Sequence, residues 1–181
     1  GKEKQFREGQ SKQILDDLFF DFIEVAKRLQ PKIIIAENVK GMIVGKAKGY
    51  CKMIKEKLNK AGYEVQLFLL NSATMGVPQA RERVFFICSR KDLNFPKLKL
   101  KFNLKPIPFS EISDNNDLKI NLTEKYKQYW KESRQGRNVG KFKSKKKVKL
   151  NSPVPTIAAS AASHFHPVFM RTLNKKEITL G

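Results

Sequence analysis

The tripeptide Glu37-Asn38-Val39 directly follows an apolar run from Ile33 to Ala36. The run is β-branched and does not alternate with polar residues, which predicts a strand buried on both faces. Ligands of open α/β sheets bind outside the carboxyl ends of the strands. Glu37 therefore lies where a catalytic carboxylate is expected, although a glutamate here could equally cap the next helix or pair with a lysine.

A second polar group, Gln79-Ala80-Arg81-Glu82-Arg83, precedes a predicted strand over Val84–Cys88. If that strand begins near Arg81, alternation places Gln79, Arg81 and Arg83 on one side. Two guanidiniums and an amide on one side suit the recognition of a phosphate or of a base carbonyl. The alternative is a solvated, charged edge of a hairpin.

The elements that must position these residues follow from hydrophobic periodicity. Apolar residues at helical spacing predict a helix from Ser11 to Leu29 with one wide apolar stripe, which includes Leu18, Phe22, Val25 and Leu29; Pro31 ends this helix. A second amphipathic helix is predicted over Tyr50–Ala61, with Tyr50 on its apolar face and Gly62 as its C-terminal glycine. Another strand is predicted over Tyr63–Leu70. The order helix, strand, helix, strand, strand indicates part of an α/β domain with a mainly parallel sheet.

Charge is the strongest compositional signal, because 37 Lys and Arg against 17 Asp and Glu give a formal net charge of +20. Such a field attracts polyanions, of which nucleic acid is the commonest, although a lysine-biased genome would produce the same excess. Six lysines lie among the nine residues 141–149. This run predicts either a phosphate-binding patch or a solvated loop.

Several classes of protein are disfavoured. No apolar run approaches the ~18 residues that a membrane span needs, and the first residues lack the apolar stretch of a signal peptide, so we expect a cytoplasmic protein. Cys51 and Cys88 do not form a disulfide framework, and with His164 and His166 they lack zinc spacing. We expect both cysteines to be small core residues and both histidines to have a surface or core role. Three aromatic residues at helical spacing are expected to form a small core rather than a base-stacking platform: Tyr126, Tyr129 and Trp130.

Together, Glu37-Asn38-Val39 and the Gln79–Arg83 group about forty residues later resemble motifs VI and VIII of the DNA (cytosine-5) methyltransferases. Other stretches also resemble this family: 1–6 (after its Pro-Cys loop), 18–21 (motif V), 71–79 (approach to motif VIII), 153–157 (motif IX) and 171–177 (start of motif X). The part without resemblance, 97–150, lies where the family has its variable target-recognition region.

The resemblance implies an α/β fold: part of a Rossmann-like S-adenosylmethionine-dependent methyltransferase sheet plus a small basic target-recognition segment. Residues 1–96 would form the C-terminal part of the catalytic domain, and 97–150 the basic target-recognition segment. Residues 151–181 would form a return segment that packs back on the catalytic domain.

The resemblance also implies covalent catalysis on a cytosine that has left the duplex stack. Glu37 would contact N3 and the exocyclic amine of the base, and Asn38 would orient the loop that holds Glu37. Arg83 would lie near the cytosine O2, Arg81 would help to hold the site or a neighbouring phosphate, and Leu18 would contact the cofactor's adenine. Gln79 and Thr156 would be structural. The expected DNA contacts are Lys2, Lys4, Lys141, Lys143, Lys145, Lys146 and Lys147.

The sequence departs from the family in lacking a Pro-Cys dipeptide and the Gly-rich loop that binds S-adenosylmethionine. We therefore expect a fragment, or one piece of a split enzyme, that is inactive alone. Its expected partners are duplex DNA and a second chain supplying the missing motifs; otherwise it would be a monomer. The expected function is a restriction-modification-type DNA methylase. The alternatives are a tRNA cytosine-5 methyltransferase and a non-catalytic nucleic-acid-binding module.

Overall fold

A computed structural model of the chain describes residues 3–4, 13–14, 18–44, 47–113, 122–140, 142–157, 164–165 and 173. The chain divides into a first unit, residues 1–70 with 83–100, and a second unit, residues 71–82 with 101–181. The domain boundaries expected at residues 96 and 150 stay a prediction.

In chain order the helices and strands are β1 (Glu3–Lys4), β2 (Gln13–Ile14), α1 (Leu18–Leu29), β3 (Ile33–Val39), α2 (Lys48–Lys60), β4 (Tyr63–Asn71), β5 (Gln79–Ala80), β6 (Glu82–Arg90), α3 (Phe109–Ile112), α4 (Glu124–Glu132), β7 (Asn138–Val139), β8 (Phe142–Lys146) and β9 (Val154–Pro155).

The sheet of the first unit has the strand order β3-β6-β4. Strand β6 pairs antiparallel with β3, from Ile33 opposite Ser89 to Val39 opposite Arg83, so the expectation of a mainly parallel sheet is wrong for this pair. The ten residues between β4 and β6 leave no room for the crossover of a dozen or more residues that a parallel strand requires.

The core of the first unit lies between the helices and one face of the sheet. Strand β6 buries alternate residues, Val84, Phe86 and Cys88, and these pack with Ile54 of α2 and Ile23 of α1. Burying such side chains contributes roughly 1.5–3 kcal/mol each. Helix α2 and its C-terminal glycine are confirmed, since Gly62 follows the helix with a φ of +96°.

Strand β3 is not buried on both faces, as its β-branched run predicted. Ile34 is buried, but Ile33 and Ile35 are 52% and 63% exposed. The reason is that the helices cover the face that carries Ile34, whereas the described residues cover the opposite face only in part.

Helix α1 differs from its prediction in length and in the face that it buries. It begins at Leu18 rather than Ser11, because Gln13–Ile14 forms strand β2 and pairs antiparallel with β1. It buries Ile23 and Ala26. Four apolar side chains of the predicted stripe are exposed instead: Leu18, Phe22, Val25 and Leu29.

The second unit has a small apolar core and a separate cluster in which rings pack on lysines. Phe109, Val148, Val154 and Leu173 form the core. The aromatic residues of α4 are half-buried and face the β7–β8 hairpin. Gly140 follows β7 with a φ of +56°, and a Cβ at this position would lie 2.9 Å from the Tyr129 ring. Only glycine therefore allows the backbone to come this close to the ring.

Candidate active site

Glu37 and Arg83 meet on neighbouring strands of the first unit. Because Val39 lies opposite Arg83 and Phe85 lies opposite Glu37, the two side chains project from the same face of the sheet. Arg83 Nε lies 2.7 Å from Glu37 Oε1. The arginine side chain is 19% exposed and the glutamate 46% exposed, so a mostly buried guanidinium holds a carboxylate that water or a ligand can reach.

Asn38 stabilises the end of β3 from within the chain. Its Oδ1 accepts a hydrogen bond from the backbone N–H of Val39 at 2.8 Å. The 3₁₀ turn Lys40–Ile43 begins at the next residue. This hydrogen bond lies between the strand residue Glu37 and the turn that follows.

A groove of about 870 Å³ lies beside this strand end. Its lining includes Leu18 and Phe22 of α1, Tyr50 of α2, and Glu37 and Asn38 of β3. Ligand sites in proteins are typically about 300–1,000 Å³, mostly apolar, with a few polar groups that orient the ligand. Two aromatic rings give the groove flat apolar surfaces beside polar groups, which is the lining that the adenosine part of S-adenosylmethionine would require.

Arg81 and Gln79 belong to the second unit, whereas Arg83 belongs to the first. The strand expected to begin near Arg81 begins at Glu82, and Arg81 lies between β5 and β6. The chain bends here around Ser72. Its hydroxyl donates to Gln79 O at 2.5 Å and accepts from the Arg81 N–H at 3.2 Å.

Gln79 and Thr156, the two residues expected to be structural, flank one small ladder. Strand β5 pairs parallel with β9, with Gln79 opposite Val154. The Thr156 hydroxyl donates to Ala80 O at 3.0 Å.

The lysines expected to contact DNA differ in their surroundings. Lys147 is 8% exposed, and its Nζ lies 3.5 Å from the centroid of the Trp130 ring and donates to Trp130 O at 3.1 Å. Lys145 Nζ lies 4.7 Å from the Tyr126 ring centroid. Both contacts are cation–π pairs that join β8 and the residue after it to α4. Burial lowers the pKa of Lys147.

Lys146 is half-buried, and its backbone N–H donates to His164 Nδ1 at 3.2 Å. Lys2 and Lys141 lie outside the described residues, as does His166. Lys4 lies in β1 and Lys143 in β8, and only their backbone is described.

His164 is a buried histidine, 2% exposed. Burial lowers the pKa of His164, and the backbone of Thr156 and Pro155 opposes this shift. Among the described residues, no group forms a hydrogen bond with His164 Nε2. Since Nδ1 accepts a hydrogen bond from Lys146, the neutral ring carries its proton on Nε2.

The two cysteines are in the surroundings expected for core residues. Cys88 is fully buried in β6, and burial raises the pKa of its thiol to about 12. Burial also raises the pKa of Cys51 in α2, with Lys55 opposing. Because the thiolate is the nucleophilic form, neither cysteine is poised for attack near neutral pH.

Within the described part of the chain, no helix has the length and apolar character to cross a membrane.

Comparison with known proteins decides the family. The family model for C-5 cytosine-specific DNA methylase matches residues 1–178. The chain belongs to this methylase family. The resemblance stated from the sequence is thereby confirmed, and membership implies the use of S-adenosylmethionine.

The chain is similar to two type II methyltransferases, each at 43% identity. The match to M.FnuDI of Fusobacterium nucleatum covers 94 residues, which is 52% of this chain and 26% of that protein. The match to M.NgoPII of Neisseria gonorrhoeae covers 84 residues, which is 44% of this chain and 25% of that protein. The matched segments thus span about a quarter of these methylases.

A solved structure shows the fold. It is described as a DNA modification methyltransferase encoded within a prophage, from E. coli, and it aligns with a TM-score of 0.66 at 16% identity. The alignment covers 90% of this chain and 62% of that one. The expected α/β methyltransferase fold is therefore confirmed.

Two residues that line the groove were not among the predicted site residues. The apolar patterns place Phe22 on the stripe of α1 and Tyr50 on the apolar face of α2. Both line the groove beside Glu37, and Tyr50 also packs against the core of the first unit. A signal existed for Tyr50, because an aromatic residue in the first turn of the helix after a strand lies near the strand's carboxyl end.

Proposed function

We propose that this chain forms part of a restriction-modification-type DNA cytosine-5 methyltransferase in which Glu37 acts on the target base. The observation that carries the proposal is the 2.7 Å ion pair between Arg83 and Glu37 at the wall of the groove. It supports the proposal because Arg83 aims a half-exposed carboxylate at a space large enough for a ligand. A glutamate that only capped a helix would need no such partner.

Glu37 would assist the chemistry at N3 of the cytosine. When a thiolate adds to C6, charge builds on the ring, and a proton held between the Glu37 carboxyl and N3 relieves it. Arg83 occupies Oε1 of Glu37, so the other carboxyl oxygen is the one available to the base. Asn38 would keep the strand end in place through its bond to Val39.

S-adenosylmethionine supplies the methyl group when it is bound. Leu18 and Phe22 of α1 and Tyr50 of α2 would hold its adenosine part in the groove. The nucleophilic thiolate would come from outside these residues, because Cys88 is buried and Cys51 lies in the body of α2. Another part of the protein, or a second chain, would provide it.

We propose duplex DNA as the nucleic-acid partner. The proposed location is the cytoplasm. The net charge of +20 provides the attraction to phosphates. Arg81 is proposed to hold the site or a phosphate next to it. Lys145 and Lys147 are proposed to act by holding α4 through its rings, and Lys2, Lys4, Lys141, Lys143 and Lys146 remain proposed DNA contacts.

The test is Glu37→Gln in the protein as cells make it, with labelled S-adenosylmethionine and duplex DNA. We expect methyl transfer to fall by about 10²–10⁴-fold, with DNA binding within a few-fold of wild type.

The matched control is Glu64→Gln. Glu64 is a 42% exposed glutamate on β4 whose Oε1 is 3.3 Å from Lys97 Nζ, so it resembles Glu37 in exposure and pairing. The control should retain activity. Equal activities of the two variants would refute the role of Glu37.

A further inference from the structure

The residues between α4 and β7 form a tight turn. Arg137 N donates to Arg134 O at 3.1 Å, which closes a four-residue β-turn. Gly136, at the third position, has a φ of +79°. This conformation is typical of glycine in a type II turn, and a Cβ on Gly136 would also collide with the Lys149 side chain.

The turn is held on both sides by backbone hydrogen bonds to Lys147. Gly136 N donates to Lys147 O at 2.6 Å, and Lys147 N donates to Arg137 O at 3.1 Å. The Lys147 side chain in turn donates to Trp130 O and lies over the Trp130 ring. One buried lysine therefore connects α4 to the turn, so the turn has a fixed position relative to the helix.

Three polar residues in or next to this turn are exposed: Arg134, Arg137 and Asn138. Neither arginine forms an ion pair with a carboxylate of the described residues. This differs from Lys145 and Lys147, whose ammonium groups lie on aromatic rings. Gln135 points back toward the chain, with its Oε1 3.5 Å from Leu150 N.

We propose that this turn reads base edges of duplex DNA, with Arg134 and Arg137 as specificity-determining residues. The inference rests on the proposed function. Guanidiniums bind O6 and N7 of guanine in a two-bond fork, and an amide such as Asn138 suits adenine. A base contact needs a fixed donor geometry, which the anchored turn provides, whereas a phosphate contact needs only charge.

The decisive variant is the double substitution Arg134→Lys with Arg137→Lys. It retains both positive charges and removes both forks, so base discrimination should fall while the phosphate attraction stays. The protein as cells make it is given a duplex library with a randomised block around one cytosine, and methylated members are sequenced. The same change at an exposed arginine of α1, Arg28→Lys, is the matched control.

We expect wild type and Arg28→Lys to methylate one common motif. The double variant should lose about five- to hundredfold in preference at one or more base pairs of that motif. Its salt dependence of DNA binding should be unchanged. The Tm of the double variant should also be unchanged and so report an intact fold.

An unchanged motif in the double variant would overturn the inference and leave the proposed function standing. If wild type methylates no library member, the proposed function fails, and the sequences that each protein binds from the same library decide the inference. A common sequence bound by wild type and lost in the double variant would uphold it, and binding without sequence preference would overturn it. Methylation of tRNA in place of the library would overturn both.

Discussion

Arg83→Lys separates the positioning of Glu37 from the stability of the fold. The substitution retains a positive charge but removes the Nε donor that meets Glu37 Oε1 at 2.7 Å. Because Glu37 is 46% exposed, water screens the pair, and we expect it to contribute about 0.2–1 kcal/mol to folding. For a protein of this size, the loss of about 1 kcal/mol lowers the Tm by about 2–4 °C.

The effect on catalysis should be much larger than the effect on stability. A displacement of a reacting group by about 1 Å can cost about 10²-fold in rate. We therefore expect Arg83→Lys to reduce methyl transfer about a hundredfold, with DNA binding nearly unchanged. The assay is label transfer from S-adenosylmethionine to duplex DNA, with the Tm measured on the same samples.

A double-mutant cycle identifies the route of the effect. If Arg83 acts through Glu37, Arg83→Lys should cost little further activity in a Glu37→Gln protein. Additive losses would show that Arg83 acts independently of Glu37. If Arg83→Lys alone lowers activity only in proportion to the fraction of protein that unfolds, Arg83 does not position Glu37.

Three further predictions concern the surroundings of the site. Burial lowers the pKa of Lys147 from its ordinary value of 10.5. As the pH rises, the ammonium group on the Trp130 ring should lose its proton below pH 10.5, and the emission of Trp130 should change with the same midpoint. The same transition in Lys147→Met would contradict this assignment. Burial lowers the pKa of His164 from 6.5, so the neutral ring contributes stability that is present above pH 6.5 and lost as the pH falls. The Tm of wild type should therefore decline more steeply from about pH 7 to about pH 5 than the Tm of His164→Asn, and equal slopes would argue against it. Ile23→Ala should lower the free energy of unfolding by about 2–5 kcal/mol, whereas Leu29→Ala, at a side chain that is 75% exposed, should change it by less than about 0.5 kcal/mol. Similar denaturation midpoints for these two variants would contradict the orientation of α1.

The sequence pattern predicted the helices and strands whose signals lie within the element itself. The helix before Gly62 and the strand of Val84 to Cys88 depend on periodicity and on one left-handed residue, and both are present. Resemblance singled out Glu37 and Arg83, but their contact depends on the register of β3 against β6. That register pairs residues about fifty positions apart, and no property of either segment alone determines it.

Burial was the least predictable property, because it depends on partners distant in sequence. A run of six lysines indicates a solvated patch, yet Lys147 is buried because Trp130, seventeen residues earlier, provides a ring and a carbonyl for its ammonium group. Similarly, the stripe of α1 did not reveal which side packs on the sheet. Ile23 is buried and Leu29 is exposed, although both are apolar.

We propose that this chain serves the methylation of cytosine C5 in duplex DNA. The most direct test of this proposal is labelled-methyl transfer from S-adenosylmethionine by the protein as cells make it, with duplex DNA and tRNA offered in parallel and the labelled atom identified. We predict label at C5 of cytosine in the duplex. Label on tRNA alone, or on neither substrate, would contradict the account.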